Sequence, residues 1–133
     1  MATGKTALIV GASRGIGLGL AGALRARGWA ITATERTPSP GLAASGARVI
    51  SGVDITDRAR IAALAGELAG ARFDLIFLNA GIMAARGLAV GEIADAEISH
   101  VLFTNAIAPV RAADALIGLA APGATIALSL IHI

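Results

Sequence analysis

A doubly wound α/β sandwich, a parallel sheet with helices on both faces, is the fold class that the sequence predicts from three observations. Five short apolar runs alternate with segments of helical period along the chain. Apolar residues make up 56% of the 133 residues and charged residues 15%, so many strands and helices must bury more than one face, as a covered parallel sheet requires. A glycine-rich turn, Gly11-Ala-Ser-Arg-Gly15-Ile-Gly17, joins the first run to the first helical segment. Right-handed crossovers and a ligand site beyond the carboxyl ends of the strands are the corollaries.

The elements follow in order. Residues 6–10 form the first apolar run, and Ile16, Leu20 and Leu24 then recur at helical spacing until Gly28 ends the helix. Residues 30–34 read as the second strand and Pro38-Ser-Pro-Gly41 as a loop. Residues 48–53 give a third strand closed by Asp54, after which Thr56 or Asp57 caps a helix to about residue 69. The run 73–78, too short for a helix and closed by Asn79-Ala80-Gly81, is a buried fourth strand. A looser stretch, 82–92, leads into a long helix over 95–120, and 124–130 is the fifth strand. No linker divides the chain, so residues 1–133 are expected to form one domain.

Composition removes several function classes. The net charge is +2 with arginines scattered singly, without the clustering that nucleic-acid binding needs. With no cysteine there is no disulfide, thiolate nucleophile or zinc-thiolate site, which suits a reducing compartment. The apolar stretch at the start is too brief for a secretory signal, and a cytoplasmic location is expected. Residues 115–133 carry no charge over a span of bilayer length, but Pro122-Gly123 cuts them, so a helix end, a turn and a buried strand are expected there and no membrane partner.

Glycines at 11, 15 and 17, with Ser13 beside them, let the backbone turn sharply and approach a phosphate, which the free N–H groups of a helix start attract. The stretch Gly17-Leu-Gly19-Leu-Ala-Gly22 also spells a dinucleotide-binding pattern, but it lies inside the helix and reads as a chance match or a close-packing surface.

The spacing glycine, three residues, glycine, one residue, glycine, followed by Asp54-Ile55, Asn79-Ala80-Gly81 and Asn105, resembles the short-chain dehydrogenase/reductase family along almost the whole chain. Gly28-Trp29 and Thr104-Asn-Ala-Ile-Ala-Pro109 look most like its C-factor-type oxidoreductases. The resemblance implies a Rossmann fold with strand order 3-2-1-4-5 and an oxidoreductase acting on an alcohol or carbonyl compound. It implies Gly11, Ser13, Arg14, Gly15, Ile16 and Gly17 on the cofactor pyrophosphate and ribose, Asp54 and Ile55 on adenine, and Asn79, Ala80 and Gly81 on the ribose and cleft wall. At the end of the second strand an acid would bond the ribose and repel a 2′-phosphate, whereas arginine would pair with it. Glu35 and Arg36 stand there together, and with Arg14 in the loop the balance favours NADP over NAD.

Pro109 has no N–H to give the carbonyl of Asn105, and in the family that carbonyl holds a relay water, so Asn105 is the expected relay residue. The tyrosine and lysine on which the family's proton transfer rests are missing: the sequence has no tyrosine, and Lys5 is its one lysine. Ser129 is a candidate for the catalytic serine, although the register places Leu130 on that position, and His132 is a titratable group near the chain end. The expectation is a truncated or incompletely recorded dehydrogenase, the alternative a non-catalytic cofactor-binding or structural protein. Without the family's next strand and helix, residues 124–133 would leave an uncharged edge and the long helix an apolar face around Val101, Ala108 and Ala112, so a homodimer through the fifth strands is expected.

Overall fold

The computed structural model describes residues 4–79, 81–83 and 87–129. Strands β1 (Thr6–Val10), β2 (Ala30–Thr34), β3 (Arg48–Ile50), β4 (Phe73–Asn79) and β5 (Ala120–Ser129) form one parallel sheet in the order β3-β2-β1-β4-β5. The order reverses between β2 and β4, on either side of β1. Both chain crossovers therefore diverge at the carboxyl end of β1, which is where a crevice opens in a doubly wound sheet.

Two core clusters explain the unbroken apolar strands. Ala7 and Ile9 of β1 point to one face, where they pack with Ala21 and Leu24 of helix α1 (Gly15–Ala26) and Leu42 of the short helix α2 (Pro40–Ala43). Leu8 and Val10 point to the other, with Ile76 and Leu78 of β4 and with Ile61 and Leu64 of helix α3 (Arg58–Glu67). A strand buried on both faces has no polar side to alternate with. Asp57 caps α3 by accepting a hydrogen bond from the Arg60 N–H, 3.0 Å, as a residue before a helix start should.

Several boundaries differ from those the sequence predicts. Residues 38–41 are not all loop, because Pro40, with its fixed φ and no N–H to lose, starts α2. The third strand stops at Ile50, and Val53 leaves the ladder to donate its N–H to the Glu35 carbonyl, 3.0 Å. Pro122 and Gly123 do not end a helix. They lie inside β5, where the pairing with β4 shifts register between Phe73 and Leu75, and the proline is tolerated because β5 is the sheet edge.

The long helix has the expected span but is broken into α4 (Asp95–Leu102), a π turn (Phe103–Ile107), helix α5 (Ala108–Leu116) and a 3₁₀ turn (Ile117–Leu119). The run Asp95–Leu119 is long and apolar enough to cross a membrane by composition, with a mean hydropathy of 1.3, yet Ala112, Leu116 and Leu119 pack into the core beside α3. Its large exposed apolar residues are Leu102, Ile107, Val110 and Ile117, whereas Ala108 and Ala112, expected at the surface, are buried. The periodicity of α5 does carry this direction: Ala108, Ala112 and Leu116 recur every four residues on the buried side, and Arg111 and Asp114 lie on the exposed one.

The orientation of α5 is directly testable. Leu116→Ala is expected to cost about 2–5 kcal/mol in denaturant unfolding, because it empties a fully buried site, while Ile117→Ala, at the exposed face, should stay within about 1 kcal/mol of the parent.

Candidate functional site

A cleft of about 280 Å³ opens at the carboxyl ends of the strands. It is lined by Gly11 and residues 13–16 of the glycine turn, by Arg36 after β2, by Val53, Asp54 and Ile55 after β3, by Asn79 at the end of β4 with Gly81 and Ile82 after it, and by Thr104 and Ser129. Most of the residues singled out in the sequence therefore meet in one place. Gly17 and Asn105 support the cleft without lining it, and Ala80, Leu130 and His132 lie outside the described residues.

The three glycines of the turn do different work. A Cβ on Gly11, whose φ is +87°, would overlap the Asn79 carbonyl oxygen, and a Cβ on Gly17 would overlap the Gly11 carbonyl oxygen. These two allow β1, α1 and β4 to close on one another. Gly15 has φ +57° and nothing within 4 Å of its Cβ position, so it alone keeps open space above the helix start. Arg14 occupies the N-cap of α1 without a side-chain cap bond, leaving its guanidinium to the cleft. Gly19 and Gly22 have no neighbour near their Cβ positions, which removes the close-packing explanation for the second glycine pattern.

Hydrogen bonds tie the cleft walls together. The Asn79 side-chain amide donates to the Gly11 carbonyl, 2.9 Å, so this asparagine latches the turn to β4. The Gly11 N–H donates to the Thr34 hydroxyl, 3.2 Å, and the Ala12 N–H to the Thr34 carbonyl, 2.8 Å, which fixes the same turn to β2. Asn105 sits in the π turn just before Pro109, where the helix takes a wider register with the Ala108 N–H bonded to the Phe103 carbonyl. Its side chain accepts from the Ile82 N–H and donates to the Ile82 carbonyl, both at 2.8 Å. That backbone-like pairing holds the segment after β4 against the helix.

Charge is distributed unevenly at the end of the cleft beside β2 and β3. One oxygen of Asp54 accepts from the Thr56 N–H and hydroxyl, at 2.9 and 2.8 Å. Burial opposes its ionisation, but those bonds, with the charges of Arg36 and His100, hold its carboxyl below the ordinary aspartate range. Glu35 does not line the cleft. It is 3% exposed, and although burial opposes its charge, hydrogen bonds from Ser51 and Ser39 hold its carboxyl below the usual glutamate range.

Sequence reasoning missed Thr104. Its hydroxyl is buried in the cleft wall and has no hydrogen-bond partner among the described residues, a costly state in a folded protein and one that a bound polar ligand would relieve. The signal was present: a lone hydroxyl beside Asn105 on an otherwise apolar stretch. Two arginines, the open space over Gly15 and this unpaired hydroxyl all fit a phosphorylated, polar ligand.

Comparison with known proteins agrees with the geometry. The sequence profile described as short chain dehydrogenase matches residues 5–126, and the chain belongs to that family. It is 32% identical over 126 residues to a 1-hydroxy-2-glutathionyl-2-methyl-3-butene dehydrogenase of Rhodococcus sp. (strain AD45), a match that spans 93% of this chain and 55% of that protein. Among solved structures, a short-chain dehydrogenase/reductase of Burkholderia multivorans with bound NADP superposes with a TM-score of 0.88 at 33% identity, covering 93% of this chain and 57% of the other. A carbonyl reductase of Pseudomonas aeruginosa PAO1 in complex with NADP gives 0.85 at 39% identity, covering 93% and 60%. The chain thus spans somewhat over half the length of these relatives.

The division of labour among the glycines predicts a split between folding and binding. Gly11→Ala and Gly17→Ala should unfold the chain or lower its melting temperature strongly. Gly15→Ala should cost only about 1 kcal/mol of backbone strain in thermal unfolding, and yet reduce nucleotide binding, because it fills the open space.

Proposed function

We propose that the chain is the cofactor-binding portion of an NADP-dependent oxidoreductase acting on an alcohol or carbonyl compound. Membership of the short-chain dehydrogenase family and the NADP-bound structural neighbours support a nicotinamide nucleotide. The observation that carries the finer choice is at the end of β2. Arg36 lines the cleft, whereas the Glu35 carboxylate, which would repel a 2′-phosphate if it faced the ribose, is bonded to Ser39 and Ser51 outside it.

In this reading the Gly11 to Gly17 turn and the start of α1 hold the pyrophosphate, with Ser13, Arg14 and Ile16 against it and the adjoining ribose. Arg36 pairs with the 2′-phosphate, Asp54 and Ile55 flank the adenine, and Asn79 and Gly81 form the wall beside the second ribose. Bound there, the nicotinamide would supply or accept a hydride. Asn105 positions the wall through Ile82, and Ser129, opposite Asn79 in register at the end of β5, faces the same cleft as the candidate substrate-side hydroxyl. The 133 residues contain no tyrosine to protonate a developing alkoxide, and Lys5 lies over the Trp29 ring, 5.5 Å from its centroid. The chain should therefore bind cofactor without reducing a carbonyl compound.

Calorimetric titration tests the assignment. NADPH should bind more tightly than NADH, and Arg36→Ala should weaken NADPH by about tenfold or more while leaving NADH within about twofold, since a charge-assisted pair is lost only with the phosphate. Equal losses for both nucleotides would assign Arg36 a structural role.

Thr104→Val offers a second check with opposite signs in the two states. Removing an unpaired buried hydroxyl should leave the free chain as stable or slightly more stable in thermal unfolding, yet weaken NADPH binding several-fold. A stability loss with unchanged binding would show that the hydroxyl serves the fold instead.

A further inference from the structure

Glu35 occupies the position where an acid normally selects against a phosphorylated ribose, and the fold turns its side chain away from the cleft. One carboxylate oxygen accepts from the Ser39 N–H at 3.0 Å and the Ser39 hydroxyl at 2.9 Å, while the other accepts from the Ser51 hydroxyl at 2.8 Å. The backbone is fastened as well, with the Glu35 N–H donating to the Ile50 carbonyl, 3.1 Å, and the Glu35 carbonyl accepting from Val53, 3.0 Å. Residues 35–39 form no regular element, so their shape depends on these bonds. The carboxylate joins the two ends of that turn and ties both to the segment after β3. Arg36, the next residue, lies on the loop so closed and lines the cleft; Glu35, Ser39 and Ser51 do not.

We infer that Glu35 is a positioning residue for cofactor choice: its carboxylate closes the 35–39 turn onto Ser51 and so holds Arg36 over the cleft, which makes an acid at this position favour the 2′-phosphate. The inference rests on the role proposed above for Arg36. It has a sign that distinguishes it from the simpler alternatives. If Glu35 contacted the ribose, or acted only through its charge, neutralising it would improve NADPH binding relative to NADH. As a clamp, its neutralisation must do the reverse, because glutamine keeps a single, uncharged acceptor oxygen, so Ser39 and Ser51 no longer share a carboxylate and the hold on the Arg36 backbone weakens.

The test is calorimetric titration of NADPH and NADH into the 133-residue chain and its Glu35→Gln, Ser51→Ala, Ser51→Thr and Arg36→Ala variants. Ser51 is at the surface, so its variants keep the test available if Glu35→Gln fails to fold. NADPH affinity should fall about threefold to tenfold in both Ser51→Ala and Glu35→Gln, with NADH within about twofold. Ser51→Thr, which keeps the hydroxyl, should restore NADPH binding, and Ser51→Ala should add nothing in the Arg36→Ala background. A gain in NADPH affinity, or equal losses for both nucleotides, overturns the clamp. A selective loss in Arg36→Ala with unchanged Ser51→Ala and Glu35→Gln overturns the clamp alone, whereas an unaffected Arg36→Ala overturns the cofactor reading beneath it.

Discussion

The contact between the Gly11 backbone and the end of β4 is the constraint on which the rest of the site depends. No side chain fits at position 11, because the Asn79 carbonyl occupies the space, and the Asn79 amide reaches back to the Gly11 carbonyl to close the approach. Gly17 lets α1 settle on the same turn, and Thr34 binds it from β2. Three strands and a helix start are thus brought to one point by backbone contacts that tolerate almost no added atom. The cleft is what remains open above it, over Gly15.

Around that point the polar groups are partitioned between holding the fold and facing the cleft. Asn79, Asn105 and Glu35 are the residues that a motif reading would assign to chemistry, and each spends its side chain on the backbone or on neighbouring hydroxyls. Arg14, Arg36 and the Thr104 hydroxyl are left with the cleft as their surroundings. A site built this way is preorganised: the groups that meet a ligand stand on segments already fixed by other bonds.

The strands and the cleft lining were legible because they rest on local signals, short apolar runs, glycines at fixed spacing, and Asp57 before a helix, while the sheet order came from the family resemblance. What escaped was decided by tertiary contacts. In the helix from Asp95 to Leu119 the small Ala108 and Ala112 face inward and the larger Val110 and Ile117 outward, so residue size misleads, although Arg111 and Asp114 mark the outer face of α5. The early end of β3 follows from the bond between Val53 and Glu35, and the direction of the Glu35 side chain from serines four and sixteen residues away. Thr104 was passed over because its only signal, a lone hydroxyl beside Asn105, does not show whether that hydroxyl finds a partner in the fold.

Backbone amide NMR of the chain, titrated with NADPH and then with NADH, reads the central claim most directly. Both nucleotides should shift the resonances of residues 11–17, 54, 55 and 104, with the difference between them concentrated at Arg36 and its neighbours. Shifts confined to residues outside this cleft, or no difference between the two nucleotides at Arg36, would contradict the account.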